Sequence, residues 1–228
     1  MERISTGVSG LDKLLGGYPK GKSVMISGQA GTGKTILALH FVNKSCSNAQ
    51  RTAYIAIEES RDDLFTQASQ FGWDLKSFEE RDLIRVHPIL EERMVDAKYQ
   101  YDPYSAERGF GGLAEIIDPA AENVVIDNLG ILALDMSLSH FRQQLDYLVY
   151  ILNRRGCTTL IICDETTMSR FGEVALYSLD GTLRLMKRSN PYTDSRERVL
   201  EVVKMRRTAT PVDYVTFEIG RNGIEVLA

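Results

Sequence analysis

The run Gly28-Gln29-Ala30-Gly31-Thr32-Gly33-Lys34-Thr35 limits the fold more than any other feature of the chain. It has the form Gly, four residues, Gly-Lys-Thr, follows the apolar burst SVMIS directly, and opens the stretch TILALHFV, which carries a helical pattern. That order specifies a strand, a tight glycine loop and a helix. Glycines let the loop curl until successive N–H groups point inward, and the helix N-terminus adds partial positive charge, so the loop is suited to phosphates. Lys34 is expected to reach the β and γ phosphates of a nucleotide. Thr35 is expected to offer its hydroxyl to Mg²⁺, an ion that takes few protein oxygens and leaves the remaining positions to phosphates and water.

The same strand-then-helix rhythm continues along the chain. TAYIAI, LIRVH, NVVID and TTLIIC are continuously apolar or β-branched, with helical stretches such as FRQQLDYLVYILNRR between them. Strands without a polar face belong to a parallel sheet covered on both sides by helices, which predicts an α/β fold with a mainly parallel central sheet. From about Asp180 the pattern changes to TLRLMKR, RVLEVVKM, YVTFEI and GIEVL with turns between, which predicts an antiparallel extension of that sheet. Met94–Gly112, with Tyr99, Tyr101, Tyr104 and GFGG, and Thr166–Leu179 read as long loops at strand ends. No linker or repeat interrupts the 228 residues, so one domain over 1–228 is expected.

Charge and cysteine content remove other classes. Twenty-seven basic against 31 acidic residues give −4, so bulk charge does not mark a nucleic-acid binder, although a local patch can still hold phosphates. Cys46, Cys157 and Cys163 form no close pair and no metal-ligand spacing with histidine, and read as buried thiols in a reducing compartment. MERISTGVSG has no apolar signal core and no run approaches a membrane span, so a cytoplasmic protein without a membrane partner is expected.

A phosphate loop needs an acidic partner for its metal, and Asp127 closes NVVID at the carboxyl edge of its strand, where ligands meet such sheets. Glu58 and Glu59 follow TAYIAI in the same position. Side chains alternate along extended backbone, so the two are expected to face different ways, with Glu58 as general base and Glu59 as its support or as an interface group; the alternative is a pair capping the next helix. Lys204 and Arg206, two apart in VVKMRR, share one face of a strand and suit a γ-phosphate, in their own site or a neighbour's. His40 lies in the helix after the loop and reads as packed; Trp73 reads as a core anchor.

Taken together, STGVSGLDKLLGGYPKGKSVMISGQAGTGKT, YIAIEESRDDLFTQASQFGWDL, VVIDNLG, VVKMRRTATPVDYVTFEI and NGIEVL resemble, over nearly the whole chain, the KaiC-like and RadA-like ATPases of the RecA superfamily. The resemblance implies a RecA-like core, Mg²⁺-dependent ATP hydrolysis at subunit interfaces, and a homo-oligomeric ring, commonly a hexamer. It implies that Glu58 and Glu59 activate water, that Asp127 serves the metal, and that Lys204 and Arg206 enter the adjacent subunit's ATP site. Asp164, closing TTLIIC beside the phosphate-loop strand, is placed to sense the γ-phosphate. The clock proteins of the group carry two such domains in tandem and this chain has one. The stretch Ala175-Leu-Tyr-Ser178-Leu-Asp180 also lacks the paired Ser and Thr of their phosphorylated domain.

Three uses follow from this reading: a signalling ATPase working through protein partners, an accessory factor binding single-stranded DNA during repair, and a nucleotide-gated scaffold that barely hydrolyses ATP. The DNA reading draws on Arg184–Arg207, with eight basic residues against three acidic ones. Exposed charge on a hairpin also protects edge strands from aggregation.

Overall fold

A computed structural model of the chain describes residues 2–89, 109–189 and 195–227. Its strands are β1 (Arg3–Ile4), β2 (Tyr18–Pro19), β3 (Ser23–Gly28), β4 (Thr52–Ala56), β5 (Ile84–Pro88), β6 (Asn123–Asp127), β7 (Thr158–Asp164), β8 (Gly181–Ser189), β9 (Arg196–Met205), β10 (Val215–Gly220) and β11 (Gly223–Val226). Its helices are α1 (Ser9–Leu15), α2 (Lys34–Ser47), α3 (Arg61–Ser69), α4 (Leu75–Glu80), α5 (Gly111–Ile116), α6 (Leu138–Arg154) and α7 (Glu165–Ser178), with a 3₁₀ turn at Leu129–Ala133.

Among the described residues nine strands form one sheet in the order β11-β10-β9-β8-β3-β7-β6-β4-β5. The five apolar bursts occupy its parallel part, and every residue of β3 and β4 is buried, as strands with helices on both faces require. β8 is the turning point. It runs parallel to β3 and antiparallel to β9, so the antiparallel extension begins at the β8–β9 hairpin rather than at Asp180. β9, β10 and β11 then pair antiparallel in sequence.

Two apolar clusters fill the two sides of the sheet. One gathers α1, α2 and the C-terminal strands around Tyr18, Phe41, Leu183 and Phe217; the other gathers α5, α6 and α7 around Phe110, Phe141, Leu145 and Phe171. Helix α6 shows why its sequence folds as it does. Ser137 caps its N-terminus by accepting from the His140 N–H, and Phe141, Leu145, Leu148 and Leu152 form the buried stripe at helical spacing. α5 is short because its run meets Asp118-Pro119, and the residue before a proline is pushed out of helical geometry.

The stretch Thr166–Leu179 is not a loop: it lies almost entirely in α7, fourteen residues long. Asp164 starts that helix, its carboxylate accepting from the Thr167 N–H at 2.7 Å, and Phe171 and Ala175 bury its inner face. Of the other expected loop, Tyr99, Tyr101 and Tyr104 lie outside the described residues, and its last residues begin α5. All three cysteines are buried free thiols. No helix among the described residues is long and apolar enough to cross a membrane.

Candidate nucleotide site

The phosphate loop takes the form its glycines allow. Gly28, Gly31 and Gly33 all have positive φ, at 144°, 71° and 106°. A Cβ on Gly28 would stand 2.1 Å from the carbonyl oxygen of Leu185 in β8, and one on Gly33 would stand 2.9 Å from Cδ1 of Ile219 in β10. The loop is therefore gripped by neighbouring strands as well as curled. Buried Thr32 ties it internally through a hydroxyl bond to the Gln29 carbonyl at 2.8 Å. Helix α2 begins at Lys34, whose ammonium donates to the Gly28 and Gln29 carbonyls at 2.9 and 3.0 Å.

Sheet register brings the carboxylates to the same edge. Gly28 pairs with Asp164 across β3 and β7, and Asp127 pairs with Ala56 across β6 and β4. Between loop and strand ends lies a cavity of about 280 Å³, lined by Lys34, Thr35, Tyr54, Glu58, Glu59, Asp127, Asn128 and Asp164 with Ala30, Ala56 and Ile131. The Thr35 hydroxyl donates to Asp127 Oδ2 at 2.8 Å, and the buried Tyr54 hydroxyl donates to the same oxygen at 2.9 Å. Asn128 spans the cavity, its Nδ2 donating to Glu58 at 3.0 Å and to Asp164 at 3.3 Å, while its side-chain oxygen accepts from the Gly130 N–H.

Burial sets the electrostatics. It pushes the Asp127 carboxyl above its usual range, and the hydrogen bonds from Thr35 and Tyr54 and the charge of Lys34 pull against it. Glu59 is also raised, first by burial and then by Asp127, Asp63 and Glu58. Burial would raise Asp164 too, but the Thr167 N–H, the Asn128 amide and the Thr167 hydroxyl outweigh it and hold the group below its usual range. Such a site favours a cation. Among the described residues no group of three or more His, Cys, Asp or Glu could cage a metal, whereas Thr35 Oγ1 and Asp127 offer the one or two protein oxygens that Mg²⁺ takes beside phosphates.

The expected residues fall into two places. Gly28 to Thr35, Glu58, Glu59, Asp127 and Asp164 meet at one sheet edge. The expectation that Glu58 and Glu59 face apart fails, since β4 ends at Ala56, strand alternation stops there, and both line the cavity. Nor do they cap the next helix: Ser60 does, accepting from the Asp63 N–H. Lys204 and Arg206 do share a side, but at the opposite sheet edge, because antiparallel β9 carries Lys204 back opposite Thr182 at the start of β8. There Lys204 donates to the Leu176 and Leu179 carbonyls and Arg206 to the Tyr177 carbonyl, at the C-terminal end of α7.

Sequence reasoning passed over Tyr54 and Asn128. Tyr54 sits among apolar strand residues, where its ring reads as core; Asn128 directly follows Asp127, and that adjacency was the available signal. His40 is packed as expected: its Nε2 accepts from the Ile224 N–H at 2.7 Å and its ring meets Trp73 at 4.5 Å.

A family model described as "ATPase: KaiC" matches residues 4–228. The circadian clock oscillator protein KaiC of Prochlorococcus marinus is 27% identical over 99% of this chain, and the chain spans 46% of that protein. A UPF0273 protein of Methanopyrus kandleri is 30% identical over 99% of this chain and 92% of its own length. The crystal structure of a KaiC-like protein from Pyrococcus horikoshii superposes with a TM-score of 0.78 at 26% identity, covering all of this chain and 99% of that one.

Proposed function

The chain belongs to the KaiC ATPase family of the RecA superfamily, and from that premise we propose that it binds Mg-ATP at the carboxyl edge of β3 and hydrolyses it slowly as an oligomeric regulator. The observation that best supports this reading is the Thr35–Asp127 hydrogen bond, beside a cavity that Lys34 and Glu58 also line. Gly28 to Thr35 hold the phosphates, with the amides of Gln29, Ala30, Gly31 and Thr32 in the curl and Lys34 on the terminal groups. Thr35 and Asp127 hold Mg²⁺, which when bound neutralises charge on the phosphates. Glu58, oriented by Asn128, accepts a proton from the attacking water; Glu59 supports it; Asp164 faces the γ-phosphate.

Lys204 and Arg206 act from a neighbouring copy. Lys204 lies level with Met25, three residues or roughly 10 Å from Gly28 at about 3.3 Å per residue, and both head groups are turned away from that end, onto the carbonyls of Leu176, Leu179 and Tyr177. A site finished only when copies meet turns over slowly, because water is positioned only on closure. A hexameric ring, as in the resemblance above, is the assembly we favour.

The DNA reading is the weaker one. Arg184 is paired with Glu165, Arg188 lies over the Tyr214 ring at 4.3 Å, and Lys204 and Arg206 are given above to a neighbour's nucleotide, so half of the eight basic residues of that segment are already committed. The deciding experiment is ATP hydrolysis with and without single-stranded DNA, read beside solution mass with and without Mg-ATP. ATP-driven assembly without a DNA response is expected. DNA-stimulated turnover would support the repair reading, and assembly without turnover would support the scaffold.

A further inference from the structure

β8 is the strand that flanks the phosphate loop on the side away from the carboxylates. Its Leu185 pairs with Gly28, and its carbonyl is what a side chain on Gly28 would strike. Two residues on, Lys187 continues along the same face of the strand, past the end of β3 and beside the loop. Its ammonium comes within 3.3 Å of the position a Cβ on Gly31 would take.

Arg184 has Glu165 and Arg188 has the Tyr214 ring, but the Lys187 ammonium makes no hydrogen bond or ion pair among the described residues. Its cross-strand partner on β9 is Arg198, a second cation whose buried Nε has no hydrogen-bond partner. Like charges set directly opposite on a sheet destabilise it unless an anion lies between or beside them. Lys34 offers no relief, being a third cation on the same loop.

We infer that Lys187 is a further nucleotide-binding residue, contacting the inner phosphates of the bound nucleotide from the β8 flank of the phosphate loop. The inference rests on the reading of Gly28 to Thr35 as a phosphate site. The division of labour follows from topology. β7, β6 and β4 bring Asp164, Asp127 and Glu58 to one side of the loop, where the terminal phosphate and metal belong, so the opposite flank faces the α and β phosphates. A contact to the inner phosphates serves ATP and ADP alike.

The test is titration of fluorescent ATP and ADP, with Mg²⁺, into the full chain and the variants Lys187→Ala, Lys187→Arg, Arg188→Ala and Lys34→Ala. Lys187 is exposed, so its loss leaves the core intact. Removing one charge-assisted contact is expected to weaken both nucleotides about tenfold in Lys187→Ala, and Lys187→Arg restores most of it. Arg188→Ala, which alters the same local charge without facing the loop, is expected to change either affinity less than about twofold. Lys187→Ala binding like wild type while Lys34→Ala loses nucleotide would overturn this inference and leave the phosphate-loop reading standing. Loss confined to ATP, or equal loss in Arg188→Ala, would also overturn it. A wild-type chain that takes up neither nucleotide would sink both readings.

Discussion

The two edges of the central sheet are built from similar strands and differ in almost everything else. At the carboxyl edge of β3, backbone N–H groups, a lysine and four carboxylates surround a cavity, and hydrogen bonds run from side chain to side chain through Asn128 and Asp127. At the other edge Lys204 and Arg206 donate to backbone carbonyls where α7 ends. On the reading proposed above, the second edge of one copy supplies Lys204 and Arg206 to the first edge of another. A chain with its complementary parts at opposite ends is suited to stacking head to tail, where a heterologous contact closes into a ring or runs on as a filament.

That contrast can be broken most decisively at the loop. Lys34→Ala is expected to lower affinity for ATP more than about a hundredfold, because a charge-assisted contact to phosphate is lost; equilibrium binding checks it, and near-normal affinity would mean that the cavity edge is not the nucleotide edge. Next comes Glu58→Gln, expected to cut turnover about a hundredfold while ATP still binds, the usual loss for a general base. Unchanged turnover would move the proton acceptor to Glu59 or remove hydrolysis from the account.

A mixing experiment tests whether the edges meet. Lys34→Ala and Arg206→Ala should each be inactive alone, and random mixing should recover about a quarter of wild-type activity, since that fraction of interfaces pairs two intact halves. No recovery in demonstrably mixed assemblies would return Lys204 and Arg206 to a structural role as caps of α7.

The smallest effect concerns the buttress behind the loop. Burial lowers His40 to about 4, opposed by its bond to the Gly7 backbone, against an unfolded value near 6.5. The folded state thus binds its proton less well than the unfolded state. The contribution is present above pH 6.5 and is lost as pH falls toward 4, amounting to about 2 kcal/mol at pH 5. Urea midpoints at pH 7 and pH 5 should show that loss, and His40→Gln should flatten it. A wild-type midpoint that does not move would mean His40 is not held neutral by its packing against Trp73 and Ile224.

Much of the cavity edge was legible because its chemistry constrains residue type at fixed spacing. Glycines at positive φ and a Lys-Thr pair have few substitutes, and carboxylates ending apolar strands mark a ligand edge in the residue pattern itself. The parallel core was legible for a different reason: strands buried on both faces are apolar throughout. Helix α7 was not, because Thr166, Thr167 and Gly172 dilute its pattern; the structure supplies an Asp164 cap and a Phe171–Ala175 stripe that local propensity underweights. The Glu58 and Glu59 geometry was missed because strand alternation was extended two residues past the last paired residue. Tyr54 and Lys187 depend on which strands become neighbours, and a single sequence does not state that order.

The bonds at the end of α7 have a consequence for how a cation reaches outward. A free lysine or arginine side chain samples many rotamers and must give up that freedom when it meets a ligand. Lys204 has already surrendered it, spending two of its three N–H donors on Leu176 and Leu179, and Arg206 is held at Tyr177. What remains is one ammonium donor and most of a guanidinium fork pointing from a fixed root. The helix end works as a jig: whatever these groups next touch meets a side chain whose entropy was lost during folding, so contact can be brief and still be selective.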